Sequence, residues 1–276
     1  MNYTPASPIG VFDSGVGGLS VWREIRRQMP GEDTRYVADQ DHIPYGPRTP
    51  GEIRRFAQGI TRFLINQGCK AIVIACNTAS GAALHTLREQ FPRIPFIGME
   101  PAVKPAAENT QTGAIGVIAT PTTFQGTLFR KLVSRFGTDV DIYTQTCPGL
   151  VALVESGGSD SSIAAATVRR CIEPLLEHNI DHLVLGCTHY PFLTPVIKRI
   201  IGPEMTLVDP SPAIARQVKR VLRFNKMTNP QSEPGHHVFY TSSETNDLRE
   251  FMEASIIPPL PVVKRITWKR AHLHFV

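Results

Sequence analysis

Nine short runs rich in Val and Ile recur along the chain, PIGVFD, RYVAD, AIVIACN, PFIGM, AIGVIAT, DIYTQT, HLVLGC, MTLVD and HHVFYT, and helix-length segments separate them. Unbroken apolar runs suit strands buried on both faces, and strands spaced by helices join side by side in parallel through crossovers. The chain is therefore expected to be an α/β protein whose mostly parallel sheets are flanked by helices. Helical periodicity is clearest after Pro50, where Ile53, Phe56, Ile60, Phe63 and Leu64 recur at three-to-four spacing and Gly68 supplies a stop. A second helix is expected from Ser161 to about His178, with Ile163, Thr167, Cys171, Leu175 and Leu176 on one stripe and a kink or break at Pro174.

The ends of these strands repeat. PIGVF runs into Asp13-Ser14-Gly15 and AIVIA into Cys76-Asn77-Thr78, while AIGVIA runs into Thr120-Pro121-Thr122-Thr123 and HLVLG into Cys187-Thr188-His189. Each half thus closes an apolar strand with a cysteine followed by hydroxyl or amide residues. Open parallel sheets bind ligands at the carboxyl ends of their strands, so two halves facing each other would bring both cysteines to one cleft.

Each cysteine has a packing role to weigh against a chemical one. The residues after Cys76 should turn and start a helix, whose N-terminus stabilises a thiolate and offers N–H donors to an anion. Taken alone, a free cysteine is more often buried packing. Cys187 repeats the placement, with His189 near enough in sequence to assist proton transfer, and two such sites in matching positions favour chemistry over coincidence. Cys171 on its helix stripe and Cys69 at a helix-to-strand turn read as structural, and Cys147 before Pro148 as packing. Five cysteines with no CxxC pair speak against a disulfide framework and against a structural zinc site.

Asp13-Ser14-Gly15-Val16-Gly17-Gly18 joins a strand to a helix whose apolar face includes Trp22, Ile25 and Met29. Its glycines let backbone N–H groups approach an anion, with Asp13 as a base and Ser14 as a donor. The rival is a dinucleotide loop, Gly15-x-Gly17 with Asp39 near a later strand end, although Ser20 stands at the third glycine position. Pro44-Tyr45-Gly46-Pro47 reads as a turn, His236-His237 opens a strand, and His272-x-His274 falls in an exposed tail.

At 276 residues the chain is long enough for about two domains. The net charge of +5 permits attraction to anions. The basic residues are scattered without an aromatic platform, so nucleic acid is not expected as the main partner. No run approaches the length of a membrane span and the start lacks the regions of a signal peptide, so a cytoplasmic protein without membrane contact is expected.

Taken in order, Asp13 to Gly18, Pro44-Tyr45-Gly46, Cys76-Asn77-Thr78 and Gly186-Cys187-Thr188-His189-Tyr190-Pro191 resemble the glutamate racemases of the aspartate/glutamate racemase group. The resemblance runs from about Ile9 to Pro210 and then thinly to the end. It implies two pseudo-symmetric α/β domains, residues 1–100 with 210–276 and residues 101–209, enclosing the substrate in the interdomain cleft. It also implies interconversion of L- and D-glutamate without PLP, metal or nucleotide, supplying D-glutamate for peptidoglycan.

By the same resemblance, Cys76 and Cys187 are the acid/base thiols, with Asp13 partnering Cys76 and His189 partnering Cys187. Glu155 corresponds to an acidic residue near the second thiol. Ser14, Tyr45, Gly46, Asn77, Thr78, Thr120, Thr123 and Thr188 are substrate contacts, joined by Asp13 and His189. Gln40-Asp41-His42 departs from the family, which often has a small residue and an arginine after the aspartate, and the end from about Pro258 matches no motif. The chemistry is coherent, because inverting Cα needs a proton removed from one face and another delivered to the opposite face. A thiol of unperturbed pKa ~8.5 can do either.

Other readings stay open on the residues alone. Aspartate or a hydantoin could be the substrate. A non-catalytic amino-acid binder would explain a cleft but not two thiols, and a nicotinamide enzyme would use the glycine loop. A cysteine hydrolase built on Cys187 and His189 would leave Cys76 without work. A homodimer through a sheet edge or helix face is compatible with the pattern.

Overall fold

A computed structural model describes residues 3–255 and 262–276. Along the chain, β1 (Ile9–Asp13), β2 (Thr34–Ala38), β3 (Ala71–Ile74) and β4 (Phe96–Gly98) enter a first sheet. A second sheet takes β5 (Ala114–Ala119), β6 (Asp141–Thr146), β7 (His182–Leu185) and β8 (Thr206–Val208). The chain then returns to the first with β9 (His237–Thr241), β10 (Val262–Lys269) and β11 (His272–Phe275).

The connections carry α1 (Leu19–Gln28), α2 (Pro50–Asn66), α3 (Asn77–Gln90), α4 (Val103–Asn109), α5 (Pro121–Gln125) and α6 (Thr127–Phe136). They continue with α7 (Leu150–Glu155), α8 (Ser162–Leu176), α9 (Thr194–Ile201), α10 (Ser211–Phe224) and α11 (Thr245–Ser255). Among the described residues no helix is long and apolar enough to cross a membrane.

All nine expected strands are present, and the echo between the halves has a physical counterpart. The first sheet has the order β11-β10-β9-β2-β1-β3-β4 and the second β6-β5-β7-β8. The stretch β2-β1-β3-β4 therefore repeats as β6-β5-β7-β8, with every pairing in both parallel. In each, the first strand of the half lies centrally and is wholly buried, as its uninterrupted apolar sequence demands. One apolar cluster joins Val11, Leu19 and Trp22 of the first half to Leu150, Val154 and Leu185 of the second. Smaller clusters back the far faces, one under α2 and α3 and one under α4 and α6.

The helix after Pro50 begins where the local chemistry dictates. Thr49 and Glu52 form a reciprocal capping box, Pro50 occupies the first turn, and Gly68 at φ +79° closes the connection to β3.

Three expectations are corrected. In α8 the buried face is Ala164, Val168, Cys171, Ile172 and Leu175, while Ile163 is 69% exposed. The stripe was thus rotated, because the small Ala164 and not the larger Ile163 meets the sheet. The helix also runs unbroken through Pro174, whose ring lies on the exposed side where water can satisfy the freed carbonyl. Second, Cys147 and Cys171 are joined as a disulfide, with Cα atoms 5.4 Å apart. Counting and spacing along the chain could not show that docking α8 beside the end of β6 brings these two together.

Third, the tail holds β10 and the antiparallel β11. In β10 the buried residues Val263 and Ile266 stand three apart amid Lys264 and Arg265, so neither strand alternation nor an apolar run announces it. His272 and His274 are exposed, but on β11 and not on a loose end. Pro258 to Pro261, where the unmatched end begins, lie outside the described residues.

Candidate active site

The carboxyl ends of the two sheets' strands line a single cavity of about 700 Å³. Its wall includes Cys76, two residues beyond β3, and Cys187, two residues beyond β7, so the two cysteines occupy equivalent places in the two sheets.

On the Cys187 side, β7 ends at Leu185 and the chain turns through Cys187 and Thr188 into a short 3-10 segment, Tyr190–Leu193. His189 Nδ1 lies 3.7 Å from Cys187 Sγ, and its Nε2 is 2.6 Å from Glu155 Oε1 at the end of α7. Burial disfavours a charged imidazole, yet the contacts with Cys187 and Glu155 outweigh it and hold the His189 pKa well above the usual histidine range. Glu155 shows the matching effect. Burial would raise its carboxyl, but the His189 bond, with further donors from Val16 N–H and Gln40, draws it below the ordinary glutamate value. An imidazolium paired with a carboxylate thus sits beside Cys187.

The Cys76 side is organised differently. Cys76 caps α3, its sulfur accepting the Ala79 N–H at 3.4 Å, as the sequence predicts for a helix start. Stabilisation of a thiolate by that helix end is opposed by its surroundings. Burial, reinforced by the negative charge of Asp13, pushes the Cys76 thiol well up, and the single helix-end donor is the weaker influence. Asp13 is fully buried and close enough to that thiol for each to shift the other. Burial raises its pKa despite the nearby His189 and the Ser14 N–H bonded to Oδ1 at 2.7 Å. Thr188 reaches across from the opposite wall, donating to Asp13 Oδ2 at 3.3 Å. One wall therefore carries a thiol that burial and Asp13 push up, and the other a histidine paired with a glutamate. Cys69 belongs to neither: burial sends its thiol to about 12, consistent with a structural role.

The remaining candidates gather around the same space. Ser14, Tyr45, Gly46, Asn77, Thr78, Thr120 and Thr188 line the cavity. Thr123 stands one layer behind, 2.9 Å from the Thr120 hydroxyl and 3.3 Å from that of Thr78. Asp13 also lies behind the wall, beneath Cys76. Tyr45 follows a cis Ile43–Pro44 peptide and anchors its hydroxyl on Asp39 at 2.6 Å. Asn77 is the exception to saturated bonding. Both atoms of its buried side-chain amide lack a partner among the described residues, which leaves them free for a ligand.

The glycine loop does not accommodate a dinucleotide. The group that its backbone receives is Glu155, whose Oε1 accepts the Val16 N–H at 2.8 Å. Asp39, which would have to meet a ribose, is fully buried and engaged by His42, Tyr45, Ser242 and Trp268. A Cβ on Gly15 would stand 2.1 Å from Glu155 Oε1, and one on Gly17 would stand 2.4 Å from His189 Nδ1. Glycine is required here for close approach of the second half's catalytic candidates. Gly17→Ala should therefore push the imidazole off Cys187 and lower turnover, on the order of 100-fold, with a folded circular dichroism spectrum retained. Unchanged turnover in steady-state assays would show that the loop yields instead.

Sequence reasoning gives no site role to Val16, Gln40 or Trp268. The first acts through its backbone, and the other two through contacts distant in sequence, 115 residues for Gln40 to Glu155 and 229 for Trp268 to Asp39.

Comparison with known proteins agrees with the geometry. The family profile described as Asp/Glu/Hydantoin racemase matches residues 9–218. A glutamate racemase from Roseiflexus sp. (strain RS-1) is 48% identical over 223 residues, covering 81% of this chain and 82% of that protein. The crystal structure of a glutamate racemase isoform from Bacillus anthracis superposes with a TM-score of 0.87 at 33% identity, covering 96% of this chain and 98% of that one. Escherichia coli glutamate racemase in complex with L-glutamate and the activator UDP-MurNAc-Ala gives 0.83 at 29% identity, covering 95% of this chain and 98% of that one.

Proposed function

Since the chain belongs to the Asp/Glu/Hydantoin racemase family, we propose that it interconverts L- and D-glutamate by proton transfer between Cα and two cysteines on opposite walls of one cavity. The observation that carries this reading is the placement of Cys76 and Cys187 at equivalent strand ends of two sheets, both lining a cavity of about 700 Å³. Likeness to glutamate racemases, one of them solved with L-glutamate, favours glutamate over aspartate or a hydantoin. D-glutamate made this way would supply peptidoglycan, the role that the family resemblance implies.

In one direction a thiolate on one wall removes the α-proton and becomes a thiol. The thiol on the other wall gives its proton to the opposite face of Cα and becomes a thiolate. The protons return through each cysteine's own neighbour, Asp13 for Cys76 and His189 for Cys187, before the next turnover. The reverse direction exchanges the two roles. A site that is to run either way needs one thiol holding a proton while its counterpart lacks one.

The α-proton of an amino acid is a weak acid, so two thiols alone do not suffice. The unpartnered Asn77 amide and the first N–H groups of α3 would hold the α-carboxylate as charge develops, joined by the Ser14 and Thr188 hydroxyls once these turn from Asp13. No cofactor enters these steps.

L-glutamate incubated with protein purified in chelator, without PLP or nucleotide, should approach equal amounts of the two enantiomers by chiral chromatography. Aspartate in a parallel incubation should turn over far more slowly. Tight binding without turnover would turn the assignment towards an amino-acid binder. Activity that vanished on stripping a cofactor and returned with it would reject the mechanism.

A further inference from the structure

We propose that Gln40 is a positioning residue for the Cys187 side of the site, fixing the Glu155 carboxylate so that His189 stays on the sulfur. The proposal rests on the reading of Cys187 as one of the two reacting thiols. Gln40 opens the short 3-10 turn that follows β2, outside the cavity wall. Its amide is held from behind by Thr241 at the end of β9, whose hydroxyl donates to Gln40 Oε1 at 2.7 Å while itself accepting the Ser243 N–H at 3.1 Å. An amide oxygen turned to the Glu155 carboxylate would set acceptor against acceptor, so the oxygen faces Thr241 and the nitrogen faces the other way. It donates to Glu155 Oε2 at 3.2 Å.

The two carboxylate oxygens of Glu155 are anchored separately. Oε1 takes His189 Nε2 and the Val16 N–H, whereas Gln40 supplies the hydrogen bond described for Oε2. Without that bond only the two contacts on Oε1 resist rotation of the carboxylate about its last torsion, the motion that carries Oε1 away from the imidazole. The chain of contacts runs Thr241, Gln40, Glu155, His189, Cys187, from the last parallel strands of the first sheet to a thiol on the second. A glutamate at position 40 could not serve, because it would set one carboxylate against another.

The other charged and titratable neighbours of Glu155 are His189, Cys187, Asp13 and Tyr36 within the site. Arg23, Asp160, Asp247 and Glu250 share the surface cleft on its far side. All of these stay in place when position 40 is changed. Gln40 is one of the donors that hold the Glu155 carboxyl low, so its loss raises that carboxyl towards the ordinary value. Protonation that breaks the His189 pair then sets in at higher pH, and the acidic limb of the rate profile moves upward.

The test uses the full chain with Gln40→Met, which keeps the side chain's length without a donor, together with Gln40→Glu and Thr241→Val. Gln40→Met should lower kcat for glutamate on the order of tenfold, as expected for a lost hydrogen bond to a charged group, with KM changed less than about twofold. Its acidic limb should shift up, and Gln40→Glu should shift it further. Because the enantiomers have equal free energy, kcat/KM must fall by one common factor in both directions. Thr241→Val loosens Gln40 from outside the cleft and should do the same more weakly. Added to Gln40→Met it should have no further effect.

A wild-type rate with an unmoved acidic limb in Gln40→Met and Gln40→Glu overturns the proposal. So does a lowered rate with an unmoved limb, which would mark a merely structural residue. Should either position-40 variant misfold, Thr241→Val decides alone by the same limb. Assayed alongside, Cys187→Ser separates the two levels of argument. If it remains active, the two-thiol reading fails; if it is dead while Gln40→Met is normal, only the role of Gln40 falls.

Discussion

Cys76→Ser and Cys187→Ser should each abolish racemisation of glutamate, with losses of about 10³-fold or more, towards the upper range for removing a general acid or base. A serine hydroxyl occupies nearly the same space as the thiol but is far too weak an acid to ionise near neutral pH. Neither variant should lose stability appreciably, so thermal unfolding serves as the control. In deuterium oxide the wild-type enzyme should place deuterium at Cα of the earliest D-glutamate formed, while unreacted L-glutamate keeps its protium. This follows because the arriving proton comes from a thiol equilibrated with solvent and the departing one goes to the opposite wall. Each serine variant should still exchange the α-proton of one enantiomer, with opposite preferences in the two proteins. Near-normal racemisation by either variant, or early product retaining its original protium, would reject the two-wall geometry.

His189→Asn carries the next largest expected effect. The imidazole is 3.7 Å from Cys187 Sγ and 2.6 Å from Glu155, buried, and held in the charged form by those two contacts. Asparagine can occupy part of the space but cannot take up or release a proton. We expect kcat to fall about 10² to 10⁴-fold while KM stays within a few-fold, since the interaction removed matters in proton transfer and not in holding glutamate. Asp13→Asn should behave in the same way on the other wall, where the carboxyl beside the Cys76 thiol would become an amide. If either variant alters only KM, its residue belongs to binding.

What the sequence conveys and what it hides follow from the range of the interactions involved. The nine strands were legible because burial on both faces writes itself into consecutive residues, and α2 because its cap, proline and periodicity are all local. Both thiols were visible as endings of matching strands, and the matching sheet orders explain why those endings coincide. The face of α8 was misjudged by one position, since a small residue can pack where a larger one does not fit. The Cys147–Cys171 pair was missed because it depends on the docking of a helix. Gln40 was noticed only as a departure from the family pattern, although its amide joins two sheets. Asp39 looked like a ribose ligand until the buried donors around it came into view. Local order is recorded along the chain, whereas the shell that orients the reacting groups is recorded across it.

The matched family region ends at residue 218, yet β9 begins at His237 and lies directly against β2. Tyr36 of β2 stacks on Phe239, and Trp268 of β10 closes the indole contact to Asp39 at 2.7 Å. A piece cut where the family profile ends would therefore expose a raw, hydrogen-bonding sheet margin in the middle of the first sheet, the kind of surface that invites pairing with another chain. It would also remove two donors, Ser242 and Trp268, from a buried carboxylate. The stretch matched by the family profile is thus shorter than the physical unit that keeps the site folded.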